Sequence, residues 1–204
     1  MASAPIYNPV IPCLHPIPGG MFPGRMIRIQ GSVPPGAQRF AINLQCGPNT
    51  DPRDDIALHL NFRFVEMCVV RNHLSTMSWG VEETNGGMPL VRGEAFEALV
   101  LCEPQLMKVA LNGAHFCEFP HRIPFQRISH ITVDGDVMIQ FIGFEGAEPA
   151  PAQMYMTYCK TAQGQSTVSA YLRKRKYWLF FLLFVIFFIV VLFTGLIFTF
   201  TSIL

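Results

Sequence analysis

Residues 58–83 of the chain read LHLNFRFVEMCVVRNHLSTMSWGVEE. Successive side chains of a β-strand point to opposite faces of its sheet. In a strand, His59, Asn61 and Arg63 would therefore share one face, and the other face would carry only apolar side chains: Leu58, Leu60, Phe62 and Phe64. The alternation predicts a strand with one face in a core and one face that offers hydrogen bonds.

The polar face has the chemistry of a sugar site. Arg63 offers fixed donors, Asn61 offers both a donor and an acceptor, and a neutral His59 offers one of each. Further along, Trp79 supplies a flat apolar surface, and the carboxylate of Glu82 can orient a guanidinium through a charge-assisted bond. A site for a hexose needs both an apolar surface on which the sugar ring stacks and polar groups that bind its hydroxyl groups. The polar row alone is also what the solvated face of an ordinary antiparallel sheet would show.

Three motifs in this stretch, H-x-N-x-R, V-x-N and W-G-x-E, together resemble the carbohydrate-recognition signature of the galectins, which are β-galactoside-binding lectins. The resemblance extends over residues 5–145. It implies that His59, Asn61 and Arg63 hold the axial 4-hydroxyl group of galactose. It also implies that Asn72 and Glu82 bind the 6-hydroxyl group and the second sugar.

The same resemblance implies that Trp79 stacks on the galactose ring.

Two positions depart from the family pattern, since Phe62 stands where the family usually has Pro and Thr84 stands where it has Arg. An inward-facing strand residue can be Phe without moving its neighbours. The missing arginine removes a contact to the second sugar, for which Arg71 and Arg92 are candidate substitutes.

The predicted fold class is all-β. Ten or eleven short strand-like runs are separated by turn residues at 34–36, 103–104, 112–113 and 134–135, which is typical of a sandwich of two antiparallel sheets. The galectin fold, a jelly-roll-like sandwich, agrees with this expectation. We expect a carbohydrate-recognition domain at residues 1–145, followed by a stalk or linker rich in Ala, Pro, Gln, Ser and Thr at residues 146–172.

Residues 173–204 have a different composition. Four basic residues at 173–176 precede an uncharged stretch, and residues 179–200 would extend about 33 Å as a helix, enough to cross a bilayer core of about 30 Å. This predicts one C-terminal transmembrane helix. The basic flank predicts a single-pass tail anchor in a membrane, with the lectin domain facing the cytosol and the lipid bilayer as a partner.

Composition excludes several classes of function. The formal net charge is +1, so no nucleic-acid partner is expected. The six cysteines form no C-x-x-C pair and no metal-ligand spacing, which predicts reduced thiols, no metal and no cofactor. No carboxylate pair or nucleophile pattern indicates catalytic residues, so the chain is not expected to be an enzyme. We interpret three histidines as surface or structural: His115, His121 and His130.

Two functions remain for this chain. The first is a membrane-anchored lectin that binds β-galactoside glycans or glycoproteins through the polar strand face and Trp79. The alternative is a degenerate galectin-like protein-interaction module without sugar binding, and Thr84 is its main support.

Overall fold

The computed structural model describes residues 4–146, and the regular secondary structure of that part of the chain is almost wholly β-strand. A short 3-10 helix covers Phe125–Arg127. The twelve strands are β1 (Ile6–Tyr7), β2 (Cys13–Pro16), β3 (Met26–Ser32), β4 (Arg39–Gln45), β5 (Ile56–Arg63), β6 (Cys68–Ser75), β7 (Ser78–Trp79), β8 (Ala95–Cys102), β9 (Leu106–Leu111), β10 (Ala114–Pro120), β11 (His130–Gly135) and β12 (Met138–Glu145).

The strands form two six-stranded antiparallel sheets. The first sheet has the order β1-β12-β3-β8-β9-β10, and the second has the order β2-β11-β4-β5-β6-β7. The predicted all-β sandwich is confirmed. The two-residue strands β1 and β7 lie at sheet edges and are too short to produce a period of two in the sequence, which is why the strand count exceeds the prediction.

The core lies between the sheets, and β5 shows how the sequence forms it. Leu58, Leu60 and Phe62 are at most 1% exposed and belong to the core cluster, as their alternation predicts. The Phe62 ring stacks on Phe40 of β4 with 4.4 Å between ring centroids. Burial of such side chains contributes about 1.5–3 kcal/mol each, so this face fixes the orientation of the strand.

The register across β4, β5 and β6 determines which polar residues are neighbours. Asn43, His59 and Asn72 are paired across the three strands, and Arg39 pairs with Arg63. Directly opposed residues of an antiparallel pair project from the same face. The second sheet therefore carries a patch of polar side chains on the side away from the core.

The turn predicted at residues 112–113 connects β9 to β10. Asn112 and Gly113 both have positive φ values, 51° and 77°, as the two central residues of a type I′ hairpin turn require. The Asn-Gly pair adopts these angles at little conformational cost, so this prediction is confirmed.

Five cysteines fall within the described residues, and all five thiols are free: Cys13, Cys46, Cys68, Cys102 and Cys117. Burial raises the pKa of the Cys102 thiol to about 12. A thiol of this kind stays protonated at neutral pH and packs as a small apolar group.

The predicted transmembrane helix and nearly all of the predicted linker lie outside residues 4–146. Within that range, no helix has the length and apolar character that crossing a bilayer requires. No group of three or more potential metal ligands occurs there either.

Candidate functional site

A groove of about 370 Å³ lies on the outer face of the second sheet. It contains five of the six residues predicted to bind sugar, and β5 supplies three of them. The lining residues are Arg39, Phe40, Ala41, Arg53, His59, Asn61, Arg63, Trp79, Glu82 and Asp134. The alternating pattern of β5 thus brings its three polar side chains to one surface.

The His59 ring is held by a chain of hydrogen bonds. Its Nδ1 donates to Oδ1 of Asn43 at 2.5 Å, and Nδ2 of Asn43 donates to the Thr132 hydroxyl at 2.9 Å. Because an amide oxygen only accepts, the proton of the neutral ring sits on Nδ1 and Nε2 is left as an acceptor. Burial lowers the pKa of His59 to about 4, with smaller contributions from Arg63 and Arg53, so the ring is neutral at pH 7.

Asn61 lines the groove and carries an unsatisfied buried acceptor. Its side chain is 8% exposed, and its Oδ1 atom has no hydrogen-bond partner among the described residues. A buried polar atom left without a partner costs about 1–3 kcal/mol. Asn61 lies between His59 and Arg63 on β5, where a hydroxyl group of a ligand could donate a hydrogen bond to this oxygen.

Arg63 and Glu82 form an ion pair at the groove. Nη2 of Arg63 donates to Oε1 of Glu82 at 2.8 Å, and its Nε lies 3.9 Å from a carboxylate oxygen of Glu66. The carboxylate of Glu82 therefore fixes the guanidinium in one orientation while leaving other N–H groups free to donate.

Trp79 lies beside these groups with its indole 52% exposed. The indole and the His59 ring are 4.7 Å apart between centroids and inclined at 51°. A large aromatic side chain that stays half in solvent on a folded domain offers an apolar surface to a ligand.

Gly80 explains the spacing of the W-G-x-E motif. Its N–H donates to the His73 carbonyl at 3.0 Å, and a Cβ atom at this position would lie 2.1 Å from Cε1 of His73. A larger residue at this position would displace the His73 ring, and the backbone bond to β6 fixes the chain between Trp79 and Glu82 beside that strand.

The sixth predicted residue, Asn72, does not line the groove. Its side chain is 2% exposed, and its Nδ2 donates to the Gly80 carbonyl at 2.9 Å. Its Oδ1 accepts from the His73 N–H at 2.8 Å and from Nη1 of Arg122 at 3.3 Å. In this structure the amide of Asn72 joins β6 to the segment after β7.

Neither candidate substitute for the family arginine reaches the groove. Arg71 is 1% exposed and donates to the carbonyls of Val69 and Asn85. Arg92 donates through Nε to the Ala37 carbonyl at 2.7 Å. The suggestion that either replaces the arginine missing at Thr84 is therefore wrong.

Sequence reasoning missed four residues at or beside the groove. Arg39 lines it and Asn43 supports it, and both belong to the β4 run RFAINLQ, where the period of two that identified β5 would have placed them on one face with Ala41. Arg53 comes from a loop, and Asp134 comes from β11. Their sequence neighbourhoods carry no signal that would have placed them there.

Comparisons with known proteins agree with this architecture. A family of galactoside-binding lectins matches residues 12–144. Galectin-4 of Bos taurus is 42% identical over 153 residues, which is 74% of this chain and 46% of the relative, and galectin-4 of Homo sapiens is 41% identical over 150 residues, 73% of this chain and 46% of the relative. The crystal structure of the galectin LEC-6 of Caenorhabditis elegans superposes with a TM-score of 0.62 at 27% identity, over 70% of this chain and 96% of that one.

The chain belongs to the galectin family and contains a galectin-type β-galactoside-binding lectin domain. The predicted family and its sandwich fold are confirmed, and membership of a lectin family supports the expectation that the chain is not an enzyme. The chain spans about half the length of the curated relatives it matches.

The comparisons also correct the predicted localisation. The single-pass tail anchor with the lectin domain facing the cytosol was inferred from the hydropathy of residues 179–200, which lie outside the described residues. The relatives are galectins matched over the lectin domain, and no helix within residues 4–146 could span a membrane. Hydropathy alone was therefore an insufficient basis for placing the protein in a membrane.

Proposed function

We propose that the groove binds the β-galactoside ends of glycans or glycoproteins. In this proposal His59, Asn61 and Arg63 contact the axial 4-hydroxyl group of galactose. The main support is Asn61, which lines the groove between the other two residues on β5 and whose buried Oδ1 atom lacks a partner among the described residues. A sugar hydroxyl group would satisfy it.

One hydroxyl group can donate to either His59 or Asn61 while it accepts from Arg63. Such a group donates one hydrogen bond and accepts up to two. Neutral His59 offers an acceptor at Nε2, Asn61 offers an acceptor at Oδ1, and Arg63 offers donors that Glu82 holds in place.

Trp79 completes the proposed site. The axial 4-hydroxyl group leaves the opposite face of the galactose ring lined with C–H groups, and an exposed indole can cover that face. Contact between the two would remove apolar surface of both partners from water.

The second sugar has fewer supporting contacts. Glu82 lines the groove and can accept from that sugar, whereas Asn72 would have to give up its bond to the Gly80 carbonyl to reach the 6-hydroxyl group. Thr84 is exposed and contributes no guanidinium. These two observations favour the alternative function, an interaction module without sugar binding, and they also predict weak binding if the lectin proposal is right.

Calorimetric titration of the full chain with N-acetyllactosamine separates the two functions. We expect saturable binding in the wild type and a loss of about tenfold or more in affinity for W79A, because the stacking surface is removed. Tyr7→Ala is the matched control, since Tyr7 is an aromatic residue 66% exposed on the other sheet.

The control variant should bind like the wild type. Absence of binding at millimolar sugar by folded protein would reject the lectin and favour the interaction module. Binding that W79A leaves unchanged would reject the proposed role of the indole.

A further inference from the structure

Arg71 is a buried cation whose partners are all neutral oxygens. It is 1% exposed, and its guanidinium donates to the carbonyls of Val69 and Asn85 at 2.9 and 2.6 Å and to Oδ1 of Asn85. The backbone of Glu83 pairs with Arg71, but the carboxylate of Glu83 pairs with Arg122. No carboxylate within residues 4–146 forms an ion pair with Arg71. A buried charge without a counter-charge is costly, so a negative group beside Arg71 would be stabilising.

The residue after Asn85 is a glycine. Gly86 has a φ of 104°, and a Cβ atom there would lie 3.1 Å from Cε2 of Phe116. The N–H group of Gly86 donates no backbone hydrogen bond within the described part of the chain, and both residues of the pair are exposed to water. Without a Cβ atom to hinder it, this nitrogen can approach the side-chain amide of Asn85.

An Asn-Gly pair of this kind can lose ammonia. The Gly86 nitrogen attacks Cγ of Asn85 and gives its proton to water, the bond from Cγ to Nδ2 breaks, and Nδ2 takes up a proton and leaves as ammonia. Water then adds to one carbonyl carbon of the cyclic imide and breaks the bond from that carbon to the Gly86 nitrogen. Addition at Cγ gives aspartate, and addition at the main-chain carbon gives isoaspartate. Either product carries one new carboxylate.

Arg71 contacts the oxygens that take part in both steps. Negative charge develops on Oδ1 of Asn85 when Cγ is attacked, and Nη2 of Arg71 already donates to this oxygen. Preorganised donors stabilise an oxyanion of this kind. In the second step Nη1 donates to the main-chain carbonyl of Asn85, which is the other carbon that water can attack. Whichever product forms, its carboxylate therefore contains an oxygen that Arg71 already binds.

We propose that Asn85 is a site of spontaneous deamidation that Arg71 promotes, and that the reaction supplies the buried guanidinium with a counter-charge. The new carboxylate stays at the surface because Asn85 is exposed, so its desolvation costs little. Deamidation at this position therefore stabilises the domain.

A second Asn-Gly pair in the sequence serves as an internal control. Asn112 and Gly113 form the tight turn between the paired strands β9 and β10, and Oδ1 of Asn112 accepts from the N–H group of Glu97 at 2.9 Å. This donor is neutral, and ring closure would disturb the hairpin. The structure therefore distinguishes two sites that the sequence makes equivalent.

The test incubates the full chain at mildly alkaline pH and follows deamidation by mass spectrometry of tryptic peptides. Residues 72–92 report Asn85, and residues 109–122 report Asn112. In the folded protein we expect Asn85 to react about tenfold faster than Asn112 or more. In concentrated urea the two rates should be about equal, because only the local sequence then acts on each site.

Two variants separate the steps of the proposal. R71Q should remove the excess rate at Asn85, whereas R28Q should keep it, because Arg28 also bonds two side chains but lies on β3 of the other sheet. N85D reproduces the aspartate product, and we expect its melting temperature to exceed that of the wild type by about 2–4 °C. N112D is the matched control and should show no such rise.

Equal rates at the two sites in the folded wild type would overturn the proposal, and this comparison decides even if R71Q fails to fold. A folded R71Q that keeps the excess rate would reject the role of Arg71. A melting temperature of N85D at or below that of the wild type would reject the counter-charge. None of these measurements involves a sugar, so their outcome is independent of the proposed function.

Discussion

The bond between His59 and Asn43 shows how a buried side chain can orient one that lines the groove. Asn43 is fully buried, with one amide atom on His59 and the other on Thr132. The variant N43A would leave the imidazole free to change its tautomer, so we expect it to lower both stability, by about 1–3 kcal/mol, and affinity for N-acetyllactosamine.

Thr132→Ala is the matched control for N43A. It removes the more distant hydrogen bond and keeps the bond from His59 to Asn43. We expect it to lower stability by about 1 kcal/mol while affinity stays within about twofold of the wild type. Chemical denaturation and calorimetry measure the two quantities, and equal losses of affinity in both variants would contradict the positioning role of Asn43.

The low pKa of His59 predicts a specific dependence on pH. Its pKa is about 4 in the folded protein, below the ordinary histidine value of 6.5, so the unfolded chain binds more protons between these values. The contribution of His59 to stability is therefore fully present above about pH 6.5 and is lost as the pH falls toward about 4. Affinity for galactosides should stay constant from pH 8 to about pH 5.5 and then fall as Nε2 gains its proton.

Denaturation of the wild type and H59Q across this range tests the pH prediction, because the difference between the two isolates the histidine from the carboxylates that also titrate. The stability difference should depend on pH between about 4 and 6.5 and be flat above. A ring proton that titrates near pH 6.5 in nuclear magnetic resonance spectra would contradict the prediction.

Beyond single side chains, Arg122 connects the end of β10 to the segment after β7. It donates to the Val81 carbonyl at 2.7 Å, to the carboxylate of Glu83 and to Asn72. These bonds fix the chain between Trp79 and Glu83, although Arg122 does not line the groove. We expect R122A to speed amide hydrogen exchange in residues 79–83 and to weaken N-acetyllactosamine binding by several-fold.

Lysine should restore little in R122K, because a point charge cannot replace three bonds made by a planar fork. Arg127→Ala is the control, since it breaks one ion pair with Asp55 outside the groove. Unchanged exchange in residues 79–83 of R122A would show that the segment is held by its backbone bonds to β6.

The strand β5 and its three polar residues could be predicted because polar and apolar residues alternate along consecutive positions of the sequence. The position of Asn72 could not be predicted in this way. Its burial depends on the carbonyl of Gly80 and on Arg122, which is 50 positions away in sequence. The same holds for Arg53 and Asp134, which reach the groove through a loop and through pairing of β11 with β4.

For the whole molecule, the sandwich could be predicted because the apolar faces of many alternating strands together form its core. The order of the strands within each sheet could not be predicted. The strands β2 and β11 belong to one sheet although more than 110 residues separate their ends. Tertiary pairing of this kind is decided by packing and not by local sequence. The hydropathy of residues 179–200 led to the wrong prediction of localisation because hydropathy describes a segment without the rest of the protein.

A single core shared by both sheets predicts how the domain unfolds. Phe40 of the second sheet contacts both Phe62 on the neighbouring strand and Phe96 of the first sheet, at 4.4 and 5.5 Å between centroids. F62A would remove the stacked ring from the middle of this cluster and should cost about 3–5 kcal/mol. Because the cluster joins the two sheets, we expect one cooperative unfolding transition at a lower temperature and not separate loss of the second sheet. The variant F141A should cost less, since Phe141 is only partly buried and its aromatic contact is the exposed Tyr7 at the edge. Calorimetric and optical melting curves that disagree for F62A would show that the sheets unfold separately, contrary to the structure of this core.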